Sequence, residues 1–179
     1  MTLETNIDLI ENILAPYKEI IGKDYMAYKN HVYRMVNFCL ELKKCTKLER
    51  EKLFIAACFH DIGIWLNKTI DYIPPSIPPA VNYLKENKQL DWQEEITLMI
   101  ENHHKLNPFK DDNFPLIEIF RKGDLVDFSL GLFKFGISKS CIKEVKQTFP
   151  NAGFHKGLFK KIAIWILRHP FNPAPMLKW

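Results

Sequence analysis

Ala56-Ala57-Cys58-Phe59-His60-Asp61-Ile62-Gly63 is the stretch from which the rest of the chain is read. A small apolar run ends in an imidazole and a carboxylate, with a glycine two residues on. Neighbouring side chains on a helix stand about 100° apart, so His60 and Asp61 can approach one ion from two sides. A His-Asp pair alone arises by chance in many chains. Its weight depends on whether other segments bring ligands to the same depth.

Immediately upstream, Thr46-Lys47-Leu48-Glu49 has the pattern of a capping box and starts the helix that carries Leu53, Ala56, Ala57 and His60 on one side. Gly63 is placed to end it. Before that, residues 24–44 read as a helix whose inner stripe is Tyr28, His31, Met35, Phe38 and Leu42, with Arg34 near the same face. Residues 3–21 form an earlier helix, stopped at Gly22. Downstream, residues 67–79 read as a loop punctuated by Pro74, Pro75, Pro78 and Pro79, with Ser76 capping the helix that follows. Asp91-Trp92-Gln93-Glu94 resembles a second capping box. It opens a helix with Ile96, Met99, Ile100 and His103 on one stripe and His104 and Lys105 at its end. Pro115 begins a helix that carries Ile117, Phe120, Asp124 and Phe128 at helical spacing. Ser138 or Ser140 caps another, stopped by Pro150, and residues 154–168 form the last. The tail from His169 holds three prolines and reads as surface coil. With no convincing strand run, the fold class is all-α: a compact helical bundle.

The bulk numbers agree. A length of 179 residues suits one domain across residues 1–179, and 47% hydrophobic with 13% aromatic residues argues for a folded core. The formal charge of +4 suits an anionic small molecule and is too mild to specify a nucleic-acid polymer. Cys39, Cys45, Cys58 and Cys141 form no C-x-x-C pair, which favours free thiols and a cytoplasmic location. The N-terminus, with Glu4, Asp8 and Glu11, is not patterned as a signal peptide, and the apolar runs are too short to span a bilayer. No membrane partner is expected, and a homodimer is compatible with the pattern.

Three helices thus bring an ionisable group to an inner face: His31, His60 with Asp61, and Asp124. A fourth brings His103 and His104. Each has an ordinary reading. His31 suits a hydrogen-bonded core histidine, Asp124 a partner of Arg121 or Lys122, and the His103-His104 pair a solvated helix end. Buried charges and imidazoles cost several kcal/mol unless paired or bound to metal, so four such exceptions in one small domain point to a shared cation. One divalent ion would satisfy His31, His60, Asp61 and Asp124 together.

The order His31, His60-Asp61, Asp124 resembles the HD superfamily of metal-dependent phosphohydrolases. His31-Val32-Tyr33-Arg34-Met35-Val36 is similar to that family's H-x-x-R-V opening, Ala56 to Gly63 to its A-A-x-x-H-D-I-G segment, and Gly123-Asp124-Leu125-Val126-Asp127 to its late A-D-x-x-D helix. The likeness covers about residues 25–130 of the sequence. It implies a helical bundle around a central metal held by His31, His60, Asp61 and Asp124. Branches with a second metal use two further histidines. His103 or His104 matches one of them, and no histidine lies between Asp61 and His103 for the other.

The oxygen and nitrogen donor set suits Mn²⁺, Fe²⁺, Co²⁺, Ni²⁺ or Zn²⁺. The expected activity is hydrolysis of a phosphorylated small molecule, a nucleotide or phosphomonoester, by a metal-activated water. Asp61 is the expected proton acceptor, Arg34 and Lys105 the phosphate clamp, and His104 a general acid or phosphate ligand. Lys122 reads as a surface cation. Tyr72, Ser76 and Ile77 are placed to set substrate size. A hydratase on the same scaffold and a non-catalytic nucleotide-binding module are the alternatives. The last helix, with Phe154, Leu158, Phe159, Ile162, Trp165 and Ile166 beside three lysines, has a wide apolar face that could meet a membrane or a second subunit, and it is expected to pack as core.

Overall fold

The computed structural model describes residues 2–177, and among these there are ten α-helices and no β-strand. They are α1 (Asp8–Leu14), α2 (Lys18–Ile21), α3 (Tyr25–Leu42), α4 (Lys47–Phe59), α5 (Gly63–Leu66), α6 (Ile73–Glu86), α7 (Gln93–Asn102), α8 (Pro115–Phe128), α9 (Lys139–Thr148) and α10 (Phe154–Arg168). The all-α expectation holds. None of these helices is long and apolar enough to cross a membrane.

The centre of the bundle is α3, which packs chiefly on α8 and also on α4. α3 is buried on nearly every side, as expected of a helix apolar around most of its circumference. α8 approaches it closely at Gly123, where an added Cβ would collide with Cys39 Sγ and press on the Met35 carbonyl. α4 opens with the expected capping box. The Thr46 hydroxyl accepts from the Glu49 amide and the Glu49 carboxylate accepts from the Thr46 amide, an arrangement that stabilises a helix start by about 1 kcal/mol. The long helix that the pattern suggested for residues 3–21 is instead broken at Pro16, where the chain tightens into a 3₁₀ turn before α2.

Three boundary expectations fail for physical reasons. Gly63 does not stop a helix; α4 ends at Phe59, residues 60–62 turn, and Gly63 starts α5. Glycine is needed there because a side chain would strike the Tyr72 carbonyl oxygen, while the Gly63 amide donates to Ser76 Oγ. The proline run is not a loop. Pro74 and Pro75 fall in the first turn of α6, where amides lack helical partners anyway, and Pro78 and Pro79 follow inside the helix. Ser76 therefore lies within α6 rather than capping it, donating to the Tyr72 carbonyl. Trp92, not Asp91, precedes α7, and no side chain caps that helix. Ser138 does cap α9, accepting from the Cys141 amide.

All four cysteines are free thiols. The last helix has the expected bounds but not the expected burial. On α10 only Phe154, His155 and Leu158 are buried, and Phe159, Ile164, Ile166 and Leu167 stand exposed. The tail is non-helical through Leu177, and its last two residues, Lys178 and Trp179, lie outside the described residues.

Candidate metal centre

α3, the turn after α4, the end of α7 and α8 converge on one buried point. His31 comes from α3, His60 and Asp61 from the turn, His103 from the end of α7 and Asp124 from α8, and all five are buried. His31 Nε2 lies 3.0 Å from His60 Nε2, 3.5 Å from Asp124 Oδ1 and 3.7 Å from Asp61 Oδ2. His60 Nε2 lies 3.4 Å from Asp61 Oδ2 and 3.8 Å from Asp124 Oδ1. Ligands about 2.1 Å from a single ion stand about 3.0–3.4 Å apart when adjacent and about 4.2 Å when opposite. The observed spacings lie within that range.

The tautomers sharpen the point. His60 Nδ1 faces the Ala57 carbonyl at 2.8 Å and His103 Nδ1 the Ile100 carbonyl at 2.6 Å. His31 Nδ1 faces Asp127 Oδ2 at 2.6 Å. A carbonyl or carboxylate only accepts, so each Nδ1 carries the hydrogen and donates it. In the neutral rings the Nε2 atoms then present lone pairs, and those of His31 and His60 point at each other across 3.0 Å. Two facing lone pairs repel unless a proton or cation sits between them. Three further buried atoms at the same point, Asp61 Oδ1, Asp124 Oδ2 and His103 Nε2, have no hydrogen-bond partner. Acceptors converging without donors are what a cation satisfies, so the residues fit a divalent metal. Holding each ligating histidine by its other ring nitrogen is the arrangement metal sites use to fix tautomer and orientation.

The titration behaviour follows from the crowding. Burial pushes His60 down to about 3 and Asp124 up to about 6. Burial would also raise Asp61, but the imidazoles of His60, His103 and His31 outweigh it and keep the carboxylate ionised. His103, opposed by burial, is raised by Asp61 and Asp124.

A second group shares Asp61. Asp61, His103 and His104 offer ligand atoms within 4.8 Å of one another, as do His31, His60 and Asp61. His103 Nε2 is 3.5 Å from Asp61 Oδ1, and His104 Nδ1 is 3.7 Å from Asp124 Oδ2. Two consecutive histidines splay onto one site because the helix ends between them: His103 is the C-cap residue of α7 and His104 lies in the turn beyond. This second group thus takes both of its histidines from one helix end.

Other expected residues are placed differently. Arg34 is not available as a phosphate clamp. It is buried, donates from Nε (2.6 Å) and Nη2 (2.8 Å) to the two oxygens of Asp127, and reaches the Phe149 and Pro150 carbonyls through Nη1. Asp127, given no role by the sequence reading, is thus the anchor for both Arg34 and His31. Burial raises its carboxyl, but His31 and Arg34 overcome this and hold it ionised. Its signal was present in the sequence, three residues after Asp124 on the same helical face. His104 Nε2 lies 2.6 Å from the Tyr72 hydroxyl, and burial holds its imidazole well below its ordinary value. That favours the neutral ring, which can offer a nitrogen lone pair for ligation. Lys105 is half-buried, and its carbonyl accepts from Arg121. Arg121 pairs with Glu118 rather than with Asp124, and Lys122 also lies beside Glu118, at 3.4 Å. Two aromatic rings lie against the centre: Phe154 stacks on His31 at 4.2 Å, and Phe128 meets His104 edge-on at 5.6 Å.

A family model described as HD domain matches residues 28–126, more than half of the chain. No curated protein and no solved structure matches.

Proposed function

The chain belongs to the HD-domain family, and from that premise we propose that it is a metal-dependent phosphohydrolase acting on a phosphorylated small molecule. The observation that carries the reading is the convergence of His31, His60, Asp61 and Asp124 on one point with acceptors facing acceptors. These four would hold the ion, drawn from Mn²⁺, Fe²⁺, Co²⁺, Ni²⁺ and Zn²⁺. Asp61, His103 and His104 would hold a second, with Asp61 common to both. A bound divalent ion supplies Lewis acidity at the phosphoryl group and a lowered pKa for water.

The chain's own residues set the geometry. Asp61 stays ionised beside three imidazoles and so keeps its negative charge for ligation and for orienting water. His104, neutral and tethered by Tyr72 at Nε2, offers Nδ1 as a ligand atom beside Asp124. Lys105 follows in the chain and is the remaining cation for the substrate's phosphate. Phe154 and Phe128 cover His31 and His104 and keep bulk water from the centre. Phe149, Phe154 and Leu158, which lie beyond the matched segment, are buried in the common core, and this supports one domain across residues 1–179. The four free thiols favour a cytoplasmic location.

The test is elemental analysis of purified protein, followed by phosphate release from p-nitrophenyl phosphate and a panel of phosphorylated metabolites with that metal restored. Asp61→Ala is expected to lose metal and turnover together while circular dichroism shows the helices retained. Turnover by metal-free Asp61→Ala would refute the reading. Stoichiometric metal with tight nucleotide binding and no product would replace it with the binding module.

A further inference from the structure

The mild charge of the whole chain conceals a division. Residues 129–179 carry nine lysines and arginines and a single acid, Glu144, so this third holds +8 while residues 1–128 hold −4. The same segment carries exposed large apolar side chains. Leu132 is 77% exposed, Leu167 84% and Phe171 fully, and Phe133 and Phe159 are half exposed. Apart from Phe171, in the tail beyond α10, two surface elements present them. One is the loop after α8, thrown outward by left-handed backbone at Leu130, Gly131, Phe135 and Gly136. The other is the outer side of α10. They meet where the Phe159 ring lies 6.2 Å from Phe128, the residue from which the loop departs. The lysines of α9 flank the loop, and Lys146 Nζ reaches the Leu130 carbonyl at 3.4 Å.

We propose that this face docks the protein on an anionic lipid bilayer, with Leu132, Phe133 and Leu167 entering the headgroup region and the lysines of α9 and α10 at the level of the lipid phosphates. Charge complementarity decides the occupant. A second copy in a two-fold contact would set the lysines of α9 and α10 against their own counterparts. A protein partner is the poorer fit, because eight of the nine cations are lysine and protein interfaces are depleted in lysine. A nucleic acid would use the cations and could stack on Phe133, Phe159 and Phe171, but would leave the most projecting aliphatic tips, Leu132 and Leu167, unmatched. Apolar tips ringed by long cationic stems suit a bilayer surface, where lysine stems lie along the apolar boundary and their heads reach the phosphates. The expectation of no membrane partner drew on apolar runs too short to span a bilayer, which bears on crossing a membrane and not on docking against one. The proposal is independent of the hydrolase reading.

The full chain is sedimented with phosphatidylcholine vesicles with and without phosphatidylglycerol. Binding is expected only to the vesicles that contain phosphatidylglycerol, and is expected to fall as salt is raised. Neutralising Lys143 or Lys146 should each weaken partitioning about fivefold, and Leu167→Glu or Leu132→Glu should weaken it at least about tenfold, from loss of apolar insertion and added repulsion. Each of these side chains is exposed, so the melting temperature serves as the control for folding. Equal binding to neutral vesicles, no binding to either, or binding unchanged in Leu167→Glu would overturn the proposal. So would a dimer in solution that Leu167→Glu dissolves, or single-stranded RNA binding that the lysine variants abolish with vesicle binding intact.

Discussion

Asp127→Asn isolates the anchor beneath the metal centre. The side chain keeps its size and loses its charge. In the native chain Asp127 accepts Arg34 Nε and Nη2 through two oxygens and His31 Nδ1 at 2.6 Å, all in the buried interior. Asparagine has one acceptor oxygen, so it serves Arg34 or His31 and turns an amide NH₂ towards the other. The Arg34 guanidinium keeps only its carbonyl partners, Phe149 and Pro150. A buried charge whose partner is removed costs about 3–5 kcal/mol. For a chain of this length each kcal/mol lowers Tm by about 2–4 °C, so the expected drop is about 6–20 °C. Losing the group that orients a ligating histidine weakens metal binding about 10–100-fold. Differential scanning calorimetry reads the first effect, and competition with a chelating dye reads the second. Metal affinity unchanged beside a lowered Tm would refute the orienting role. If Arg34→Met kept the native Tm and metal affinity and raised only KM, Arg34 would belong to the substrate after all.

Gly123→Ala is expected to destabilise by about 1–3 kcal/mol, because the new methyl must displace Cys39 Sγ and the Met35 carbonyl on α3; urea unfolding measures it, and a neutral result would mean that α3 and α8 are free to part. Metal affinity should be flat above pH 6 in its dependence on Asp124 and fall about tenfold per unit below it, because the Asp124 carboxyl, raised to about 6, must lose its proton to ligate. The sign for folding is opposite: without metal this raised carboxyl favours the native state at low pH and loses that contribution as pH climbs from 3.8 through about 6. Calorimetric metal titrations across pH 5–8 test the first statement, and affinity rising on acidification would contradict it. Tyr72→Phe removes the hydroxyl facing His104 Nε2 and should cost about 1 kcal/mol of stability while lowering turnover, the two measured side by side on the purified variant.

Much of the centre was legible because buried ionisable residues stand out against apolar helical stripes. His31 sat between Tyr28 and Met35, Asp124 between Phe120 and Phe128, and both are buried. Where the sequence misled, a three-dimensional neighbour decided. Gly63 resembles a helix stop until Tyr72 and Ser76 are seen against it. Pro78 and Pro79 suggest a loop, yet α6 accommodates them one turn beyond a proline-rich start. Arg34 lies next to His31 in the pattern, but nothing local tells a guanidinium whether its carboxylate partner is a ligand's or Asp127. The apolar stripe of α10 suggests burial, and only the packing shows that its outer part stands exposed.

The facing lone pairs of His31 and His60 carry a consequence for the life of the protein in a cell. A fold whose interior is most at ease with a cation inside gives up part of its stability when the cation is scarce. Chains made during metal shortage would open more often and be degraded sooner, so abundance would track supply with no change in synthesis.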